Sequence, residues 1–506
     1  MDKKYLRNIV LCSSIFLITF ISRIIFSEKY FFDSDTVGVA FGSISYSIQN
    51  TRPHLPGYFL HVKLISLISP LFQNVHQAMI SLSAVYSSLG AVFCSILLKK
   101  WLDEKSSILI TLLIVFNPLV WYQGSTTESY SFDLLLSALF VLLALNPRTI
   151  YLTPLLIAIG IGVRQTSGLL LFPLYIYLWY KKSKTERISI PKLLLSHFAA
   201  LIICLLWFLP MVNSAGGLNK YFNLYKINSP LSNISTLQNI FQFSSYCFFV
   251  FMPIIIALLF SIKKKSKALK ILADEKNLIL ILSVWLIPSL ITFIFFNYSK
   301  GYFLISIIPI YAFLGILLEK NKIKKTGLYF AIALQILFFV FYPYNPQSLQ
   351  TLIKPEFRTK NIYYTWVDRT FSSYLMSYSR IKYQDDQLEK LSEIVEDAKA
   401  KTIFLDPTIY LAARGMQLKY PALTFVTMDY YRPNSYYEYN GLNITAKKEL
   451  DTVLLNSLLI TRSDFYNAYL KSAVTNVSRK TDYIYLLVEE NKKEILLHKY
   501  QNLFVR

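Results

Sequence analysis

The sequence predicts an α-helical polytopic membrane protein: about 11 transmembrane helices over residues 1–343, then a small C-terminal α/β soluble domain over 344–506. Three observations carry that expectation. Of the 506 residues 54% are hydrophobic and 16% aromatic, and the mean hydropathy is +0.41, a composition outside the range of soluble domains. The formal charge of +22 falls in short basic clusters between apolar runs, which is the pattern of topology signals and not of a nucleic-acid surface. After Tyr344 the chain turns polar and charged with mixed periodicity for roughly 160 residues, a normal domain size.

The N-terminus has the basic region and apolar core of a signal peptide. Arg23 interrupts the end of that core and no A-x-A site follows, so the segment reads as a retained first span. Lys3, Lys4 and Arg7 precede this span, Lys99 and Lys100 follow the second, Arg148 the fourth, and Lys181, Lys182, Lys184 and Arg187 the sixth. Lys263, Lys264, Lys265 and Lys267, then Lys320, Lys322, Lys324 and Lys325, continue the series. The positive-inside rule then places the N-terminus in the cytoplasm and the first loop, 27–75, outside, in a plasma (inner) membrane protein. The stretch 150–180 is basic at both ends, which fits two short helices with an outer turn at 160–166 better than one long span. Outer loops follow at 213–244 and 297–302. Parity puts the C-terminal domain outside as well. Within it, 385–400 reads as a helix, 402–405 and 423–426 as strands, and 482–488 with 494–498 as a hairpin. The tyrosine-rich 430–439 offers flat faces for a sugar, although an ordinary aromatic surface loop has the same composition.

Cys12, Cys94, Cys204 and Cys247 all lie in apolar runs without metal-ligand spacing, so neither disulfides nor structural zinc are expected. No Walker A sequence occurs. Gly160-Ile161-Gly162 lacks the third glycine and the soluble strand-to-helix context of a dinucleotide site. No internal repeat or low-complexity tract is evident.

The richest chemistry is in the first outer loop. Asp33 and Asp35 follow the first span, and Val37, Ala40, Phe41, Ile44 and Ile48 then recur at helical spacing, as in a helix lying on a membrane surface. Either acid can cap that helix, but they lie about 200° apart around its axis, so at most one does. Arg52, His54 and the turn Pro56-Gly57 close the loop. Further along, Glu128 suits either a functional acid or a capping box with Ser125. Asp133 stands inside an apolar run and is expected to face protein. Arg164, in an outer turn with no acidic residue near it in sequence, suits bidentate phosphate binding or snorkelling to the interface, and Lys300 invites the same two readings. Asp33, Asp35, Arg52, His54, Glu128, Arg164 and Lys300 all fall on the outer side. Acids and phosphate-seeking bases together point to chemistry with a phosphate leaving group.

These residues resemble the GT-C superfamily of polytopic glycosyltransferases, which includes protein O-mannosyltransferases and the aminoarabinose transferase of lipid A. Asp33-Ser34-Asp35 resembles the family's acidic motif, with serine where the mannosyltransferase type has glutamate. His54-Leu55-Pro56-Gly57-Tyr58 resembles its H-P-P-G-Y turn, with Leu55 replacing one proline. Glu128-Ser129-Tyr130 resembles an acidic position at the start of the fourth span, Gly162-Val163-Arg164-Gln165 a basic turn near the donor phosphate, and Lys300-Gly301-Tyr302-Phe303-Leu304 a later K/R-x-Y-F-L element. The resemblance implies transfer of a sugar, with inversion, from a polyprenyl phosphate donor to a hydroxyl of a glycan, lipid or protein acceptor. Asp33 would be the general base with Asp35 its rival, Arg52, His54 and Glu128 would contact substrate, and Arg164 with Lys300 would stabilise the departing phosphate. Some relatives use a divalent metal, and Asp35 with Glu128 offers oxygen ligands of the kind magnesium or manganese prefers, although no metal ligand is assigned. Membrane lipid is the other expected partner; nucleic acid is not. The rival classes are a transporter or flippase of a lipid-linked glycan and a non-catalytic scaffold. The absence of a repeat argues against the first, and the gathering of costly ionisable groups at one rim argues against both.

The topology is directly testable. A reporter fused after Arg506 should be active only when exported; activity confined to the cytoplasm would mean a miscounted span, with 150–180 the first place to look.

Overall fold

Apolar helices dominate the described residues up to 344, and a mixed β-sheet follows them. The protein, a computed structural model, describes residues 3–31, 33–228, 251–256, 274–295, 300–320, 325–344, 376–398 and, with short breaks, 400–496. It divides into two compact units. One comprises Met1–Glu28 with Leu55–Ile381, the other Lys29–His54 with Lys382–Arg506, so the segment carrying Asp33 belongs to the same unit as the C-terminal sheet.

The larger unit begins with α1 (Lys3–Ile25) and continues, after the other unit's α2 (Ser34–Ile44), with α3 (Phe59–Ile68), α4 (Val75–Leu98), α5 (Glu104–Val115), α6 (Pro118–Gly124) and α7 (Ser131–Leu145). Next come α8 (Thr153–Val163), α9 (Gln165–Thr185), α10 (Ile190–Ser214), α11 (Leu218–Asn228), α12 (Lys276–Phe295), α13 (Ile307–Lys320) and α14 (Thr326–Phe341). Among the described residues, four helical stretches are long and apolar enough to cross a membrane: Tyr5–Ile25, Val75–Leu98, Ile190–Ser214 and Gly301–Lys320. The pair α5 and α6 makes a fifth if its 62° bend is one broken span, and five shorter apolar helices accompany them. The stretch 150–180 does divide into two helices, which meet at Arg164.

The bend between α5 and α6 shows how irregular backbone survives in an apolar unit, where every peptide group needs a partner. Pro118 starts the second helix without an amide hydrogen to satisfy, and the fully buried Asn117 accepts from the amides of Leu119 and Val120 at 2.9 and 3.4 Å. Its Nδ2 donates to Tyr311 Oη at 2.8 Å. The carbonyl of Val115, freed by the break, receives Arg23 Nη2 at 2.5 Å. Arg23, fully buried, spends its other nitrogens on Ser87 and Ser22, so a residue that interrupts the first span in sequence pins the broken one in space. Small residues let α4 approach its neighbours closely: a β-carbon at Gly90 would sit 3.0 Å from Leu134 of α7.

The second unit holds α2 and the sheet, with α15 (Tyr378–Glu396, which begins in the larger unit) and α16 (Ala412–Lys419). Its strands are β1 (Thr402–Leu405), β2 (Thr424–Met428), β3 (Tyr436–Asn440), β4 (Asn443–Lys447), β5 (Leu458–Arg462), β6 (Ser478–Lys480) and β7 (Tyr483–Leu487), in the order β4-β3-β2-β1-β5-β7-β6. β1 pairs in parallel with β2 and β5, and the outer pairs are antiparallel. Side chains alternate across this sheet as period two requires. Ile403, Leu405, Phe425, Leu458 and Ile460 pack under α15 and α16, while Phe404, Val426, Leu459, Ile484 and Leu486 face Tyr466, Leu470 and Leu496.

Two sequence expectations are corrected here. The expected second strand, 494–498, is helical over its described residues 494–496, while 497–498 lie outside the described residues, and β7 finds its partners in β5 and β6. The apolar side of α2 does not lie on a membrane surface. Val37, Ala40 and Phe41 are buried in protein beneath α16, and only Ile44 is exposed. Residues 429–435, within the tyrosine-rich stretch, lie outside the described residues.

Candidate active site

The larger unit gathers one charged cluster at the junction of α8 and α9. Arg164 is there in extended backbone, 2% exposed, between two helices. Its Nε lies 3.2 Å from Oδ2 of Asp133, a fully buried residue of α7, and its Nη1 donates to Ser129 Oγ at 2.8 Å. Ser167, one turn into α9, donates to the other Asp133 oxygen. The guanidinium carbon stands 3.9 Å from the centre of the Tyr130 ring and 5.4 Å from that of Tyr302, so the planar cation is stacked as well as paired. Among the described residues Nε is held by the ion pair with Asp133 and makes no hydrogen bond, and Nη2 has no hydrogen-bond partner.

The elements around this cluster explain its placement. Glu28, 3% exposed at the end of α1, accepts from the amide and hydroxyl of Thr127 at 2.9 and 2.6 Å and donates its own amide to Ser125 O. That grip orients 125–128 and delivers Ser129 and Tyr130 to Arg164. From the other side, Gln165 Nε2 reaches Pro56 O at 3.5 Å, a bond also made by Tyr221 Oη at 3.1 Å. The Pro56-Gly57 turn, with Gly57 at φ +114° where a side chain would be strained, is thereby brought beside the arginine turn. Close packing of α3 on α8 completes it: a β-carbon at Gly162 would fall 2.6 Å from Leu60.

The first-loop acids belong to the other unit. Asp33 is the N-cap of α2, its carboxylate accepting from the Thr36 amide at 3.3 Å, and is half-buried. Asp35, one residue inside the helix, is exposed, with an oxygen 3.7 Å from His54 Nδ1. Ser47 and Arg52 pair backbone to backbone, folding the loop back along α2, and the Arg52 side chain is buried, which lowers its pKa. Arg414 of α16 donates to Thr51 O at 2.7 Å; burial pulls its pKa down to about 10, leaving it charged at neutral pH.

Of the remaining candidates, Glu128 is half-buried and its carbonyl accepts from Ser83 Oγ at 2.9 Å. The capping box with Ser125 is not realised, because α7 starts only at Ser131 with Tyr130 at its N-cap position and no side-chain cap. Lys300 opens a 3-10 helix, Lys300–Ser306, but its side chain lies outside the described residues. No group of three or more His, Cys, Asp or Glu side chains able to hold a metal occurs among the described residues, and Asp35 and Glu128 belong to different units. The structure thus joins Arg164 to the Pro56 turn and the Glu128-Ser129-Tyr130 stretch. Arg164 has no acidic residue near it in sequence, and the fold supplies one from a distance: Asp133 of α7. Ser129, Tyr130 and Tyr302 were within reach of sequence reasoning as members of the quoted motifs, and Asp133 as an acid in an apolar run.

No protein-family model matches the chain, and no curated protein matches it. A solved structure does. The crystal structure of ArnT from Cupriavidus metallidurans bound to undecaprenyl phosphate superposes with a TM-score of 0.58 at 12% identity, covering 96% of this chain and 98% of that one. The chain has the ArnT fold. The apo form of the same ArnT gives a TM-score of 0.56 at 12% identity over the same shares. ArnT is an aminoarabinose transferase of the GT-C type, so the resemblance read from short motifs in the first third of the chain holds at the level of fold over nearly all of it.

The buried ion pair makes a stability prediction. Arg164→Ala leaves Asp133 buried and uncompensated, which should cost about 3–5 kcal/mol, whereas removing Asp133 as well should recover most of that loss. Thermal unfolding of the detergent-solubilised proteins checks it; a double variant no more stable than Arg164→Ala would refute the pairing.

Proposed function

We propose that the protein is a glycosyltransferase that moves a sugar from a polyprenyl phosphate donor to an acceptor hydroxyl on the extracytoplasmic side of the membrane, inverting the anomeric centre. The observation that carries this reading is Arg164: a buried, stacked guanidinium with Nη2 unspent, in a chain with the fold of a protein crystallised with undecaprenyl phosphate. An arginine held this way loses little freedom on meeting a phosphate oxygen, and in a water-poor surrounding its charge acts strongly on the phosphate that departs. Lys300 is proposed to assist.

Asp33 is proposed as the general base. Its carboxylate takes the acceptor's proton as the acceptor oxygen bonds to the anomeric carbon and the bond from that carbon to the phosphate oxygen breaks. Capping α2 through a bond from the Thr36 amide and taking up a proton are compatible roles for one carboxylate. Asp35 is the alternative base, and Arg52, His54 and Glu128 are proposed substrate contacts.

Asparagine separates the two roles of Asp33, because it caps a helix about as well as aspartate but cannot take up a proton. Purified Asp33→Asn protein should keep its thermal stability while turnover, followed as polyprenyl phosphate released from a panel of polyprenyl phosphate sugars, falls by roughly 10²-fold or more. Asp35→Asn should be milder. If the two results are exchanged the base is Asp35, and if both variants turn over at the wild-type rate neither acid is the base.

A further inference from the structure

The segment bearing the two acids is gripped on both flanks by residues from the far end of the chain. Before Asp33, the buried Asp385 accepts from the backbone amides of Lys29 and Tyr30 at 2.9 and 3.1 Å through the same oxygen. The Tyr30 ring packs on the core face beneath α15 and α16, with the Lys419 ammonium 5.2 Å from its centre. The next residue, Phe31, is buried, and a β-carbon at Gly415 would stand 3.2 Å from its carbonyl oxygen. After α2, Arg414 Nη2 donates to Thr51 O, and the guanidinium carbon lies 5.2 Å from the centre of the Phe41 ring. A β-carbon at Gly38 would be 3.2 Å from both Arg414 Nη1 and Thr51 O, so helix, arginine and returning loop are in close contact.

Neither Asp385 nor Arg414 belongs to the two apolar clusters that hold the sheet together. Both make charge-assisted bonds to the main chain of 29–51. Hydrogen bonds from or to ionised groups are the stronger and more directional kind, and backbone partners leave the bond indifferent to the loop's own side chains.

The geometry points to a positioning role for the C-terminal unit: through Asp385 and Arg414 it sets the orientation of α2, and with it the placement of Asp33 and Asp35. Neither residue need touch substrate. The catalytic part of this inference rests on the base role proposed above; the clamp itself does not.

The test uses the full-length protein in detergent, with Asp385→Ala, Arg414→Ala and the conservative Asp385→Asn, whose amide oxygen accepts the same two N–H groups. A displacement near 1 Å at a reacting group costs up to roughly 10²-fold in rate, so both alanine variants should lose roughly 10- to 100-fold in kcat with the donor KM within about twofold. Asp385→Asn should restore most of the loss. Hydrogen exchange read alongside should quicken over 34–44 in the alanine variants while β1, β2 and β5 keep wild-type protection. Unchanged exchange over 34–44 would overturn the clamp. Exchange that quickens equally across the sheet would overturn positioning in favour of a general loss of the unit, and local quickening with unchanged kcat would overturn its catalytic meaning. A fully active Asp33→Asn protein would remove the base role alone, since the exchange arm judges the clamp without reference to it.

Discussion

A cation sealed away from water has to be answered from within the protein, and in the larger unit the pairing of Arg164 with Asp133 gives that answer. Desolvating two charges is expensive, and their attraction offsets this only with further hydrogen bonds and good geometry. Much of the local architecture supplies those terms: Ser129 and Ser167 satisfy one partner each, Tyr130 offers its ring face, and Glu28 fixes the strand of chain that brings Ser129 and Tyr130 into place. The helix break at Arg164 and the irregular stretch before α7 exist together because each completes the other.

The same economy governs the bend at Asn117-Pro118, where the broken backbone is met by Asn117 and Arg23. In both places an ionisable residue that looks costly in an apolar sequence turns out to face protein, as buried polar groups must. The difference lies in what is left over. Each nitrogen of Arg23 has a partner, whereas Arg164 keeps Nη2 without one among the described residues. Arg23 is thus a structural pin, and the spare donor of Arg164 is the one that the proposed phosphate role would use.

How much of this was legible in the sequence depended on the range of the interaction. Composition and the basic clusters are properties of single stretches, and they led to the membrane class. Local periodicity placed β1 residue for residue at 402–405 and β2 within two residues at either end. Asp33 as a cap of α2 is likewise local. The segment 494–498 failed because five residues of mixed pattern do not distinguish an edge strand from a helical turn, and the sheet had β6 for that edge. The pairing of Arg164 with Asp133 crosses between packed helices, and the burial of α2 under α16 crosses most of the chain. Neither leaves a period or a motif to read, because both are decided by which faces meet after folding.

The bond from the Lys29 amide to Asp385 spans 356 positions. At roughly 5 to 20 residues per second of synthesis, the acidic loop emerges some 20 to 70 s before the residue that holds it. Until then the amides of Lys29 and Tyr30 lack their Asp385 partner, while the local cap of Asp33 on α2 needs no later residue. A chain that stops short of α15 and α16 carries its first loop without the partners that Asp385 and Arg414 supply.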